Sequence, residues 1–264
     1  DPIYKMSPVN YKIFTKDVGP WSGLWDKWLA FMIENNPFFS VTPKNQWERL
    51  YNDLYLFGLT ACVPSTLNSK SMALSRITRS LENLIDFENL AKLKKDVYIN
   101  ALNITDREIN LFGKKEITPD HVVAGSSLYF IAKPTQINGK WYAEGSYVDS
   151  LNYKGIIKAH EDIETIVVMN ILNKEALIRL PTGLDDAYNL SVMLPFVTIA
   201  DDDTKIFVEK YKGKRNLLKV DFEIPDADDE YACDWSYSNF QRLKEIGYKA
   251  GLEFYKNNKD KLAS

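Results

Sequence analysis

The chain has 264 residues, 45% of them hydrophobic and 26% charged, a composition that excludes wholesale disorder. With 33 Lys+Arg against 36 Asp+Glu the formal charge is −3, too balanced for nucleic acid to be the main partner. Two cysteines, Cys62 and Cys233, exclude a disulfide scaffold and a Cys-x-x-Cys zinc site. Two ordinary buried thiols are expected over one long-range disulfide. No apolar run approaches the roughly 18 residues of a membrane span, and no signal-peptide pattern is present, so a soluble, cytoplasmic protein is expected. Aromatic residues make up 13%, which leaves room for a lipid-facing or partner-facing surface and for peripheral membrane contact. The opening Asp1-Pro2 fits a processed polypeptide and a trimmed one alike.

Residues 1–70 are rich in aromatics and helical in pattern. Trp21, Leu24, Trp25, Trp28, Leu29 and Met32 recur at helical spacing, with Ser22 as N-cap and Asn36-Pro37 as terminator. This stripe reads as a core-facing or lid-like helix. A second helix is expected over Lys44 to Gly58 and a third over Ser71 to Leu84. The middle of the chain turns to strands. Val97 to Leu102 reads as a buried strand with Ile109 to Phe112 as its partner. Thr118-Pro119-Asp120 starts a helix, and its small residues Ala124, Gly125, Ser126 and Ser127 permit close approach to another backbone. Gln136 to Tyr142 reads as a hairpin on the Asn138-Gly139 turn. Glu164 to Leu172 is a near-continuous apolar run, the mark of a strand covered on both faces and, we expect, a neighbour of Val97 to Leu102 in one sheet. A further hairpin is expected from Lys205 to Tyr211 and Asn216 to Phe222. A C-terminal helix from Trp235 to Asn257 places Phe240, Leu243, Ile246, Gly247, Gly251 and Phe254 inward. Strands interleaved with helices make this an α/β chain, read as a single domain over 1–264.

Chemistry-bearing motifs are scarce. There is no Gly-rich phosphate loop and no Gly-x-Ser-x-Gly nucleophile elbow. The acidic runs Asp201 to Asp203 and Asp226 to Glu230 match no ordered calcium-ligand spacing, so solvated turns are expected and no metal or other cofactor. The informative segment is Ile137 to Ser150, reading INGKWYAEGSYVDS. It resembles the patatin-like acyl hydrolases, or patatin-like phospholipases, whose catalytic aspartate opens an Asp-Gly-Gly or Asp-Gly-Ala element just after an Asn/Asp-Gly hairpin. Glu144 stands at that aspartate's position, followed by Gly145 and Ser146, and Asp149-Ser150 stands where the family often has Asp-Asn. Leu81 to Leu90, Val97 to Asn103, Ile117 to Leu128 and Trp235 to Lys261 look like flanking family segments in the family's order, so 71–264 is the family-like core.

The resemblance implies a three-layer patatin-like sheet and a Ser–Asp dyad that cleaves acyl esters, with backbone N–H groups holding the oxyanion. Glu144 would be the base, with Gly145, Ser146 and Asp149 shaping binding. Two departures matter. Glutamate is one methylene longer than aspartate, and the Gly-rich oxyanion loop and serine elbow, which precede the matched segments in the family, are absent from this chain. Two readings stay open: a subunit or fragment of a lipid acyl hydrolase whose serine comes from another chain or a removed N-terminal part, or a noncatalytic patatin-like module that binds lipid or a protein. The missing first strands of the family's sheet imply an uncovered edge, closed by a second chain or another copy; a monomer would favour the noncatalytic reading.

Overall fold

A computed structural model describes residues 13–77, 85–170, 174–222 and 236–262. The fold is mixed α/β. The chain divides into two compact units, Asp1–Gly145 and Ser146–Ser264. No described helix is long and apolar enough to cross a membrane.

Among the described residues the first unit holds two sheets. In one, β1 (Phe14–Lys16) runs antiparallel to β2 (Ala73–Ile77), and β2 runs parallel to β5 (Phe130–Ala132). The other has the order β4-β3-β7-β6, from β3 (Tyr98–Asn103), β4 (Glu108–Gly113), β6 (Thr135–Ile137) and β7 (Lys140–Glu144). Both hairpins of this sheet are those expected. Asn138 and Gly139 take φ of 50° and 79°, the left-handed pair whose twist matches flanking strands.

Three helices of this unit concern the site or the surface. Helix α1 (Ser22–Glu34) follows a 3-10 turn at Gly19–Trp21, so Trp21, not Ser22, occupies the N-cap and Ser22 is already helical. Helix α2 (Gln46–Cys62) is capped by Asn45, whose side chain accepts the Glu48 N–H at 2.9 Å. After α3 (Phe87–Lys92), helix α4 (Pro119–Gly125) opens on Thr118, whose N–H donates to His121 Nδ1 at 3.2 Å. Helix α4 lies on the four-stranded sheet, and Ala124 joins Ala101, Ile137, Tyr142 and Phe112 in the core.

The helix expected over Ser71 to Leu84 is instead strand β2 at Ala73–Ile77; residues 78–84 lie outside the described segments. Ala73 and Ser75 are buried while Leu74 and Arg76 are less so, a period of two, and pairing on both sides decides in favour of strand. Arg76 also reaches across to α1, where Nη1 donates to Asp26 Oδ2 at 2.6 Å and Nη2 to Oδ1. Cys62 is an exposed free thiol rather than a buried one, and Cys233 lies outside the described residues.

The second unit pairs β8 (Thr165–Asn170) with β9 (Asn216–Asp221) in parallel, from Thr165↔Asn216 to Asn170↔Asp221. Around them lie α5 (Tyr153–Ala159), α6 (Lys174–Leu177), α7 (Leu184–Lys210) and α8 (Tyr237–Leu262). The core gathers Tyr153, Val168 and Phe207, with Ile166, Tyr211 and Leu217 against them.

Four expectations are corrected here. β8 and β3 lie in different sheets, so the single three-layer sheet is not what these residues build. β8 is not covered on both faces: Val168 is 8% exposed, but Val167 is 39% and Met169 67% exposed. Lys205 to Lys210 ends helix α7 instead of forming a hairpin strand, because Thr204 and Phe207 are buried at helical spacing and Phe207 stacks on Tyr153. On α8, Phe240 is 62% exposed, while Leu243, Ile246, Gly247, Gly251 and Phe254 are half-buried as expected.

Candidate functional site

β7 lies between β3 and β6, and its last residue is Glu144, paired with Ala101. Its N–H donates to the Ser127 carbonyl at 3.2 Å, just beyond the end of α4. Strand alternation puts Glu144 on the same face as Tyr142, the face that α4 covers. The residue is half-buried. Glu144 is thus the last residue of the strand that follows the Asn138-Gly139 turn.

Two glycines close this corner against β3. A Cβ on buried Gly145 would lie 2.7 Å from Asn100 Cγ, and one on Gly125 would lie 2.9 Å from Ile99 Cγ2 and 3.2 Å from the Asn100 carbonyl. Gly145 therefore lies against the Asn100 side chain and Gly125 against Ile99 and the Asn100 carbonyl, each too close for a Cβ unless the neighbour shifts. The expectation that small residues let α4 close on another backbone holds at Gly125.

The nearby serines are structural. Ser127 is fully buried and its hydroxyl donates to the Val123 carbonyl at 2.7 Å; Ser126 donates to the Val122 carbonyl at 2.9 Å. Each hydroxyl spends its single proton on the preceding helical turn, the i−4 pattern. Neither is set up as a nucleophile.

Gly145 begins a 3-10 turn, Gly145–Tyr147, that carries the chain into the second unit. Ser146 and Asp149 are half-buried there. Asp149 Oδ1 accepts the Asn152 N–H at 2.5 Å. Asn152 in turn holds a left-handed φ of 42° and accepts the Gly155 N–H at 2.9 Å, capping α5. Asp149 thus props a helix start. Burial, and then the charges of Asp149 and Asp202, push the Asp203 carboxyl above its ordinary range, against the Ser150 N–H that lowers it. The other acids of this run are answered by lysines, Asp201 by Lys205 at 2.8 Å and Asp202 by the same Lys205 at 3.3 Å. These residues lie in helix α7 rather than in a turn; 226–230 lie outside the described residues. Among the described residues no group of three His, Cys, Asp or Glu side chains is placed to hold a metal.

Of the four residues named from the sequence, Glu144 and Gly145 form one corner of the first unit, and Ser146 and Asp149 belong to the second. Asn100 was not named as a site residue. Its signal is a polar side chain on a strand whose neighbours are apolar, facing a glycine. Comparison of the sequence with protein-family models gives no match, and comparison with curated proteins gives none.

Proposed function

We propose that this chain contributes the acidic member of a Ser–acid dyad to a patatin-like lipid acyl hydrolase, the serine coming from polypeptide outside this sequence. Glu144 removes the serine proton while the serine oxygen attacks the acyl carbonyl. The acyl–enzyme ester forms, the alcohol leaves with that proton, and water then releases the acid by the same route. What carries the reading is the corner itself: a half-buried glutamate ending an inner strand, followed by a glycine packed against the Asn100 side chain. That geometry fits the resemblance of Ile137 to Ser150 to the family's motif hairpin.

The test is a chromogenic short-chain ester with the native assembly. Glu144→Gln keeps the shape and removes the base, and should lower kcat at least about tenfold. Unchanged kcat removes Glu144 from the mechanism. A partner chain or a second copy of this chain, docked along β8, is part of the same proposal, since among the described residues β8 pairs only with β9. Light scattering on the native material should find more than one 30.4 kDa chain. The second reading, a noncatalytic lipid- or protein-binding module, is favoured by the extra methylene of Glu144; absence of ester cleavage by any native preparation would establish it over the first.

A further inference from the structure

Helix α2 is built inside out. Its buried residues are Asn52, Asp53 and Leu59. Asn52 is held by Ser40, whose carbonyl accepts its Nδ2 at 2.6 Å. The outward positions 47, 50, 51, 54, 57, 58 and 61 carry Trp, Leu, Tyr, Leu, Phe, Gly and Ala, all exposed. Trp47 is 77% exposed and Leu54 54%. Phe38, 74% exposed, extends the patch by its ring contact with Tyr51. The 17 residues of α2 make this face about 25 Å long.

The chemistry of the face selects its occupant. It bears no charge, and its polar side chains are Gln46 at the N-terminal end and Tyr51, whose hydroxyl accepts from Asn36 Nδ2 at 2.9 Å. Protein interfaces carry about one hydrogen bond per 100–200 Å², and beyond Gln46 and the engaged Tyr51 these side chains offer none. Lysines stand at both ends. Exposed Lys44 precedes the N-cap, and exposed Lys16 donates through Nζ to the Val63 carbonyl at 3.3 Å, just past the C-terminus. Of the helix's two acids, Asp53 is buried and Glu48 is turned back onto the cap, accepting from Lys44 N–H and Asn45 Nδ2. An uncharged apolar strip with a tryptophan and lysines at its margins is what the interface of an anionic bilayer accepts.

We propose that the outer face of α2 docks on an anionic lipid surface, with Trp47, Leu50, Leu54 and Phe57 in the acyl boundary and Lys16 and Lys44 at the headgroups. The proposal does not depend on the chemistry of Glu144. In a flotation assay the full chain should rise with phosphatidylcholine–phosphatidylglycerol vesicles, and less with phosphatidylcholine alone. Leu54→Glu, at an exposed site, should lower partitioning at least about tenfold. Brominated phosphatidylcholine added to the mixed vesicles should quench the tryptophan emission of the unaltered chain, and Trp47→Phe should remove a large part of that quenching. No flotation of the unaltered chain, equal flotation of Leu54→Glu, or quenching untouched by Trp47→Phe would each overturn the proposal. So would a lipid-independent dimer that Leu54→Glu dissociates, since a second copy would then cover the face.

Discussion

Gly145→Ala probes the corner that holds Glu144. The new methyl would meet Asn100 Cγ at 2.7 Å and both terminal atoms of its amide at 2.8 Å. All three lie well inside van der Waals contact, and rotating the amide about its last bond leaves Cγ in place. Either Asn100 leaves its rotamer or the strand end lifts from β3. Overpacking of this kind costs about 1–3 kcal/mol. With a urea slope of about 2 kcal/mol per molar, the midpoint should fall by about 1 M. Asn100→Ala in the same chain removes the obstacle, so the double variant should be more stable than the two single losses add up to, by about 1–2 kcal/mol. Urea unfolding followed by tryptophan emission gives all four corners of the cycle. A Gly145→Ala chain within about 0.5 kcal/mol of the parent, or additive losses, would refute the close-approach argument.

Two groups, His121 and Asp203, each make stability depend on pH in a testable way. Burial lowers the His121 pKa, against the raising influence of Asp120 and Glu116. The unfolded chain therefore takes up the proton first as pH falls below about 6.5. Stability should drop between pH 7.5 and 5.5, and His121→Asn, which keeps an acceptor for Thr118, should lose less over that window; an equal loss would contradict this. Asp203 has a raised pKa, so its charge opposes folding at neutral pH. Asp203→Asn should raise the urea midpoint at pH 7, with the gain vanishing once pH falls below about 3.8 and both states are protonated; a lowered midpoint at pH 7 would contradict it.

Local signals were the legible ones. The Asn138-Gly139 turn demands left-handed backbone, and the strands either side follow from it. Thr118-Pro119 announces α4 through cap chemistry that acts within four residues. Residues 73–77 and 205–210 went the other way because their β or helical state is decided by partners far along the chain, β1 and β5 in one case and Tyr153 in the other. The strand-end placement of Glu144 was readable from the hairpin. Its glycine contact with Asn100 was not, since a close approach between β3 and β7 depends on register that no local string encodes. The outward apolar face of α2 was also hidden: periodicity locates a stripe but does not say which way it points.

The parallel pairing of β8 with β9 has a consequence for the order of folding. Its first pair, Thr165 and Asn216, is 51 residues apart, whereas the β6–β7 hairpin closes through a two-residue turn. Loop entropy must be spent before the first ladder bond of β8 forms, and α7 has to be in place to make the crossover. The local hairpins β3–β4 and β6–β7 should therefore close while Ile166 to Met169 is still an unpaired apolar strand. Refolding from denaturant should show two phases, and aggregation should track the slower one, seeded by β8.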